Sequence, residues 1–277
     1  MAPAFVTRFA PSPTGYLHRG HAASAMTAWN AARAAQGRFI LRLEDIDGTR
    51  CRPEYDAAIL EDLAWLGLDW EQPVRRQSEH RPDYLAAIET LRARDLVYRC
   101  FRTRREVLDE IGRAPHGPLE VFHGAALAPA DEARRLAENE PFAWRLSLDA
   151  ARQTLGSAYD RLSFVEEGEG PIIARPETAG DVVLARKDVG VAYHLAVVVD
   201  DALQGITHVI RGEDLKEATH IQRLLQALLD LPTPLYRHHG LLLGPEGKRL
   251  AKRDKAETLR ALRQRGVSPA EVIASVN

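Results

Sequence analysis

Arg8-Phe9-Ala10-Pro11-Ser12-Pro13-Thr14-Gly15-Tyr16-Leu17-His18-Arg19-Gly20-His21 decides how the rest of the chain is read. Phe5 to Phe9 reads as a short strand, two prolines and a glycine then force an irregular loop, and Gly20 to Gln36 is alanine-rich enough to continue as a helix. A strand, a tight loop and a helix N-terminus make an anion site, because the unpaired N–H groups of the first turn and the positive end of the helix dipole face one crevice. His18 and His21 fall on one face of that turn. The arrangement suits a polyphosphate. For His-x-Gly-His alone, a plain strand-to-helix turn with solvated histidines competes on even terms.

Working outward, 277 residues suffice for one large or two modest domains, and 45% hydrophobic content supplies a real core. Lys and Arg number 37 against 39 Asp and Glu, so no global basic field announces nucleic acid and any RNA contact is a local patch. Cys51 and Cys100 are too few for a disulfide framework and fit a reducing cytosol. No apolar run is long enough for a signal peptide or a membrane span, so the expectation is a cytoplasmic protein without a membrane partner.

Arg38 to Leu43 reads as a buried strand that delivers Glu44, Asp45 and Asp47 at its carboxyl end, where open α/β sheets bind ligands. Glu44 can hold an ammonium group through a charge-assisted hydrogen bond. Helices are expected over Pro53 to Leu66 and Pro82 to Arg94, with Leu96-Val97-Tyr98 as the next strand of a βαβ series and Arg76, His80 and Arg81 in solvent. From Arg99 the rhythm breaks at Pro115, Gly117, Pro118 and Pro129, with a polar helix near Asp131 to Glu138 and a strand at Phe142 to Leu148; this reads as an insertion. The α/β pattern is read as returning at Asp181 to Arg186, followed by the buried apolar segment Tyr193 to Asp201 and by Gly205 to Leu215, a strand from which Arg211 emerges. The planar fork of Arg211 suits a carboxylate. Thr219 to Leu229 is an amphipathic helix, and Tyr236 to Leu243 reads as a strand leading into a glycine-bearing loop loaded with cations, Lys248, Arg249, Lys252 and Arg253. Such a loop can neutralise charge on a triphosphate, although a bare charge run more often faces solvent.

The opening string closely resembles the ATP-binding signature of class I aminoacyl-tRNA synthetases in its glutamyl form; glutaminyl enzymes usually carry Pro-Glu-Pro-Asn where Pro11-Ser12-Pro13-Thr14 stands here. Leu43-Glu44-Asp45-Ile46-Asp47 is similar to a glutamyl motif, the strings from Asp181 to Leu215 are similar to the second half of the glutamyl core, and Arg249-Leu250-Ala251-Lys252-Arg253 resembles the second class I signature, with Arg249 for its first lysine and Ala251 for its serine. The resemblance implies an α/β, split Rossmann-like core with an α+β insertion: residues 1–98 as the first half, 99–180 as the insertion, 181–235 as the second half, and 236–277 as the cationic loop with a short helical appendage. It implies ATP and Mg²⁺, with His18, His21 and Lys252 catalytic, and His18, Gly20, His21, Arg249 and Lys252 on ATP. Glutamate is expected on Arg8, Phe9, Ala10, Pro11, Ser12, Glu44, Tyr193 and Arg211.

In this family the insertion cradles the tRNA acceptor end, and some members hold zinc in it through Cys-x-Cys. Here the string is Cys100-Phe101-Arg102, and Cys100 with His116 and His123 is a poor tetrahedral set, so zinc is not expected and no metal site is assigned. Arg99, Arg102, Arg104 and Arg105 form a basic run suited to RNA phosphates, as often simply solvated. Beyond Arg253 only a short tail follows, with Ser268 and Pro269 as the cap and first turn of a helix over Glu271 to Val276, so no anticodon-binding domain is expected. That truncated architecture resembles the glutamyl-Q branch of the family, monomeric by expectation, whose members attach L-glutamate to queuosine at the wobble position of tRNA(Asp). The end at Asn277 also suits the catalytic part of a conventional glutamyl-tRNA synthetase. A third reading, an idle paralogue that senses amino acid or binds RNA, has no need of both histidines, Glu44, Arg211 and Lys252 together.

Overall fold

The computed structural model describes residues 4–103, 105–107, 121–186, 190–242 and 257–276. In chain order the first elements are β1 (Val6–Phe9), α1 (Arg19–Ala34), β2 (Arg38–Leu43), α2 (Pro53–Trp65), β3 (Glu71–Arg76), α3 (Arg81–Arg92) and β4 (Val97–Cys100). There follow α4 (Pro129–Ala137), β5 (Ala143–Leu146), α5 (Leu148–Leu155), β6 (Ser163–Glu166), β7 (Gly170–Ile173), β8 (Val183–Arg186) and β9 (Gly190–Val191). The last are α6 (Tyr193–Leu203), β10 (His208–Gly212), α7 (Ala218–Leu228), β11 (Leu235–His239), α8 (Leu259–Gln264) and α9 (Pro269–Ala274).

Strands β1, β2 and β3 pair in parallel in that order, with Val6 opposite Arg38. On the free side of β1 lies β10: the Thr207 N–H donates to the Val6 carbonyl at 3.0 Å, and the Val6 N–H donates to Thr207 Oγ1 at 2.9 Å. From β10 the sheet continues in parallel through β11 to β6 and ends on the antiparallel β7. Alternation along β1 and β2 sends Val6 and Ile40 to one face and Phe9, Phe39, Leu41 and Leu43 to the other. The first face is covered by α3, α6 and α7, the second by α1, α2 and the C-terminal helices α8 and α9. Both faces are therefore buried, as a parallel sheet requires.

Two strands lie elsewhere than their sequence predicts. The third parallel strand is Glu71–Arg76, whereas Val97–Cys100 joins β5, β8 and β9 in a separate antiparallel sheet. Val183–Arg186, expected to resume the nucleotide fold, pairs with Ala143–Leu146 in that same sheet. Buried Asp181 ties the sheet to its surroundings, accepting from the Tyr98 hydroxyl and the Gly124 N–H at 2.9 Å each and from the Leu148 N–H at 3.1 Å. Arg76 is not simply solvated but forks onto Asp56 at 2.8 and 3.1 Å.

The C-terminal pieces clasp the opening loop. The Leu259 N–H donates to the Leu17 carbonyl at 2.8 Å, Thr258 bridges His18, and Arg260 Nη1 donates to the Tyr16 hydroxyl at 2.6 Å. Ser268 caps α9 in a capping box with Glu271, and Val272 is buried beneath it. Among the described residues no helix is long and apolar enough to cross a membrane.

Candidate active site

Strands β1 to β3 lead away from β1 in one direction and β10 to β11 in the other, so a crevice opens at their carboxyl ends where the order reverses. A cavity of about 450 Å³ lies there. Arg8, Phe9, Ala10, Pro11, Ser12, His18, Gly20, His21, Glu44, Tyr193 and Arg211 all line it, so every described residue assigned from the sequence to glutamate or ATP reaches one space. The Phe9 ring belongs to the core, which leaves mainly its backbone to face the cavity. Thr14, Ser24, Asp214 and His239 complete the polar wall.

The helix N-terminus is built from the two histidines. His18 is the N-cap of α1 in extended conformation; its Nδ1 accepts from the Gly20 N–H at 3.1 Å, while the His18 N–H donates to His21 Nδ1 at 3.2 Å. Because each Nδ1 accepts from the backbone, each neutral ring carries its proton on Nε2, a donor for an anion's oxygen. The rings lie 3.9 Å apart between centroids. Gly20 makes this possible: a Cβ there would stand 3.0 Å from His18 Cε1.

A buried ion ladder that the sequence reading did not assign holds the amino acid side of the cavity. Arg8 donates through Nε to Asp201 Oδ1 at 3.1 Å, and its two terminal nitrogens make no hydrogen bond among the described residues. Asp201 Oδ1 also accepts from Arg42 Nη1 at 2.8 Å, and Arg42 Nη2 donates to Glu44 at 3.2 Å. The ladder alternates in sign from Arg8 through Asp201 and Arg42 to Glu44. Burial pushes the Asp201 carboxyl up, but Arg8 and Arg42 outweigh it and hold it below the ordinary aspartate range. For Glu44 burial prevails over Arg42 and Arg8, and its pKa is raised. Asp200, fully buried, accepts from Arg75, Gln77 and the Tyr84 hydroxyl, anchoring the other side of α6. Asp200 and Asp201 close an otherwise apolar run, and two adjacent carboxylates inside a buried segment are the one local signal that could have marked the ladder.

Opposite this ladder, Arg211 projects from β10. Its Nη2 donates to Thr219 Oγ1 at 2.8 Å and to the Leu215 carbonyl at 3.1 Å, and its Nη1 to the Tyr193 hydroxyl at 3.3 Å. Its Nε donates to His238 Nε2 at 3.1 Å. Burial pushes the Tyr193 hydroxyl's pKa up, so it remains protonated. Neighbouring His194 is held down at about 4 by burial and by Arg211, and is neutral at physiological pH.

Lys248, Arg249, Lys252, Arg253, Arg104 and His116 lie outside the described residues. Of the basic run proposed for RNA, Arg99 is already engaged: Nη1 donates to Glu132 at 2.7 Å and the guanidinium lies 4.5 Å over the Trp144 ring. Arg102 lies over the Phe122 ring, and Arg105 is exposed. Among the described residues no three His, Cys, Asp or Glu side chains gather as a metal set.

The family profile described as tRNA synthetases class I (E and Q), catalytic domain, matches residues 4–277. The Glutamyl-Q tRNA(Asp) synthetase of Rhodobacter capsulatus is 47% identical over 275 residues, covering 96% of this chain and 98% of that one. The Glutamate--tRNA ligase 2 of Cereibacter sphaeroides is 40% identical over 278 residues, covering 97% of this chain but 59% of its own. A crystal structure of a glutamate tRNA ligase from Elizabethkingia meningosepticum in complex with its amino acid superposes with a TM-score of 0.76 at 30% identity, over 91% of this chain. The chain spans about half the length of that solved structure, 52%. With a cavity at the strand ends, a histidine-capped helix beside it and these likenesses, the chain belongs to the class I tRNA synthetase family (E and Q), a family of ligases.

Proposed function

We propose that the chain activates L-glutamate with ATP and transfers it to queuosine at the wobble position of tRNA(Asp), in the cytoplasm and as a monomer. The observation that carries the first half is the charge pattern of the cavity: Arg8, Arg211 and Glu44 line one space beside a helix N-terminus, with Asp214 the further acidic residue of its wall. An amino acid with two carboxylates and one ammonium is the complement of that pattern. Glu44 takes the ammonium, Arg8 one carboxylate with Ser12 beside it, and Arg211 with Tyr193 the other.

The α-carboxylate oxygen then attacks the α-phosphorus of ATP, forming the acyl phosphate bond of glutamyl-adenylate as the bond to pyrophosphate breaks. No protein nucleophile is required. The rate comes from placement and from donors aimed at the phosphates: the His18 and His21 Nε2–H groups and, on the cationic loop, Lys252 with Arg249. Leu242 lines the cavity and Thr258 bridges His18, so both flanks of that loop attach at the site. Mg²⁺, when bound with the nucleotide, would supply further neutralisation of the triphosphate charge. In the second step a queuosine cyclopentene hydroxyl attacks the adenylate carbonyl, its proton is lost, and AMP departs.

The queuosine half draws on coverage: the match extends over 98% of a relative named for glutamyl-Q tRNA(Asp), and over 59% of one named a glutamate–tRNA ligase. Glutamate-dependent pyrophosphate exchange, followed by mapping of labelled glutamate on RNA, tests the whole proposal. Label on queuosine of tRNA(Asp) is the expected result; label on the 3′-terminal ribose of tRNA(Glu) would make this a conventional synthetase core, and no exchange with either RNA would remove the enzyme reading.

A further inference from the structure

Behind Arg211 stands a set of buried polar side chains that the chemistry above does not use. The neighbouring parallel strands β10, β11 and β6 deliver Arg211, His238 and Glu166 side by side. Arg211 Nε–H donates to His238 Nε2 at 3.1 Å, and the far ring nitrogen, Nδ1, lies 2.7 Å from Glu166 Oε2. The His238 backbone N–H donates to Glu166 Oε1, also at 2.7 Å. Both side chains are buried, at 1% and 3% exposure. A ring nitrogen that accepts from a guanidinium carries no proton, so the single imidazole proton sits on Nδ1 and is donated to Glu166. Burial and the Arg211 charge both hold the ring's pKa below the ordinary histidine value, which keeps it neutral. Of the five guanidinium N–H bonds, His238, Thr219, Leu215 and Tyr193 take four, and the remaining one is on Nη1, next to Tyr193 at the cavity wall.

We propose that His238 and Glu166 are positioning residues that determine side-chain specificity: the imidazole is a neutral spacer that locks the Arg211 fork while keeping the Glu166 carboxylate from pairing with it. This rests on the glutamate reading above. A carboxylate forked directly onto Arg211 would complete the ion pair within the protein, and an amide would then be nearly as acceptable in the cavity as a carboxylate. With the ring between them, Arg211 has no carboxylate partner among the described residues, and a substrate carboxylate completes it. Glutamine, almost the same shape, leaves the guanidinium short of a counter-charge.

The test uses the full chain with His238→Phe, which keeps a flat ring without its hydrogen bonds, His238→Gln, which can accept from Arg211 and donate to Glu166, and Glu166→Gln. Glutamate affinity is read by calorimetry, and glutamate against glutamine by pyrophosphate exchange. In His238→Phe the glutamate KM rises and the glutamate preference falls, each by roughly tenfold or more, with kcat and the ATP KM within about twofold of wild type. His238→Gln restores most of both. Should His238→Phe not fold, Glu166→Gln carries the same expectation. A folded variant that keeps glutamate affinity and preference overturns the spacer role alone, whereas a wild-type protein that binds no glutamate overturns the glutamate reading and this role with it.

Discussion

A methyl group added at Gly20 would press on the His18 ring, 3.0 Å from Cε1 and 3.1 Å from Nδ1, at the atom that caps helix α1. Gly20→Ala therefore separates the two jobs of that ring. Loss of the cap costs about 1 kcal/mol, seen as a small drop in Tm, and displacement of the Nε2 donor raises the ATP KM on the order of tenfold while calorimetric glutamate affinity stays unchanged. Exchange kinetics at saturating glutamate check the second effect. Lys252 is expected to act later: Lys252→Ala slows adenylate formation by about 10²-fold, with glutamate binding nearly intact, because its ammonium matters as phosphate charge redistributes. Pre-steady-state adenylate formation measures this, and an unchanged rate assigns the role to Lys248, Arg249 or Arg253. Residues that touch the cavity were legible in the sequence because each sits in a short string with its own chemistry: Arg8 before the prolines, Glu44 after an apolar strand, Arg211 beside Gly212-Glu213-Asp214. Those that hold them were not. Asp201 meets Arg8 across 193 positions and Arg42 across 159, and Glu166 meets His238 across 72, and nothing local in a strand or helix announces a partner that far away; Arg42 stands only 2 positions from Glu44 and His238 27 from Arg211, but neither pairing shows before the strands are in place.

Elements were legible where their period and caps agree. Helix α9 follows from Ser268, Pro269 and Glu271, and α7 from the stripe Ile221, Leu224, Leu225 and Leu228. Strand β3 was missed because Glu-Gln-Pro-Val-Arg-Arg is polar and contains a proline, both tolerable only because it is the outermost strand of its sheet. Val97–Cys100 was assigned to the wrong sheet since an apolar run carries no mark of a parallel or antiparallel neighbour. In helix α6 every residue from Leu195 to Asp201 is buried, which erases the periodicity a surface helix would show. The contact between α2 and α8 carries a pH dependence of stability. Asp62 is completely buried on α2, neither carboxylate oxygen accepts a hydrogen bond among the described residues, and Arg263 of α8 approaches only to 3.6 Å. Burial raises its pKa from 3.8 to about 6, against a smaller opposing pull from Arg263. Below 3.8 the group is protonated in both folded and unfolded chains; between 3.8 and about 6 the folded chain holds the extra proton, so stability declines as pH rises through that window, and above it the loss is complete. Asp62→Asn should flatten that decline and raise Tm at neutral pH relative to wild type, as thermal unfolding across the window would reveal; an unaltered pH profile would exclude Asp62 as its source.

At the scale of the whole molecule, a net charge of -2 leaves no diffuse positive field to gather RNA from a distance. Recognition in the proposed reaction is then compact and centred on one stem-loop, with exposed Arg105 nearer the task than Arg99, whose charge Glu132 already answers. An isolated tRNA(Asp) anticodon stem-loop carrying queuosine should accept glutamate, and the same RNA with guanosine should not. Labelled-product mapping reads both arms, and equal labelling of the two RNAs would defeat the modified-base substrate. The opening loop has a further consequence, one of timing. Val6 finds its neighbour at Thr207, Arg8 its counter-ion at Asp201, and the His18 cap its clasp at Thr258. A ribosome emits the nucleotide turn well before its supports, so until α6 and β10 emerge the inner edge of β1 stands bare and Arg8 lacks its Asp201 counter-ion. The site cannot be assembled piecemeal as the chain emerges; it closes in one late step, when the second half of the sheet arrives to receive the first.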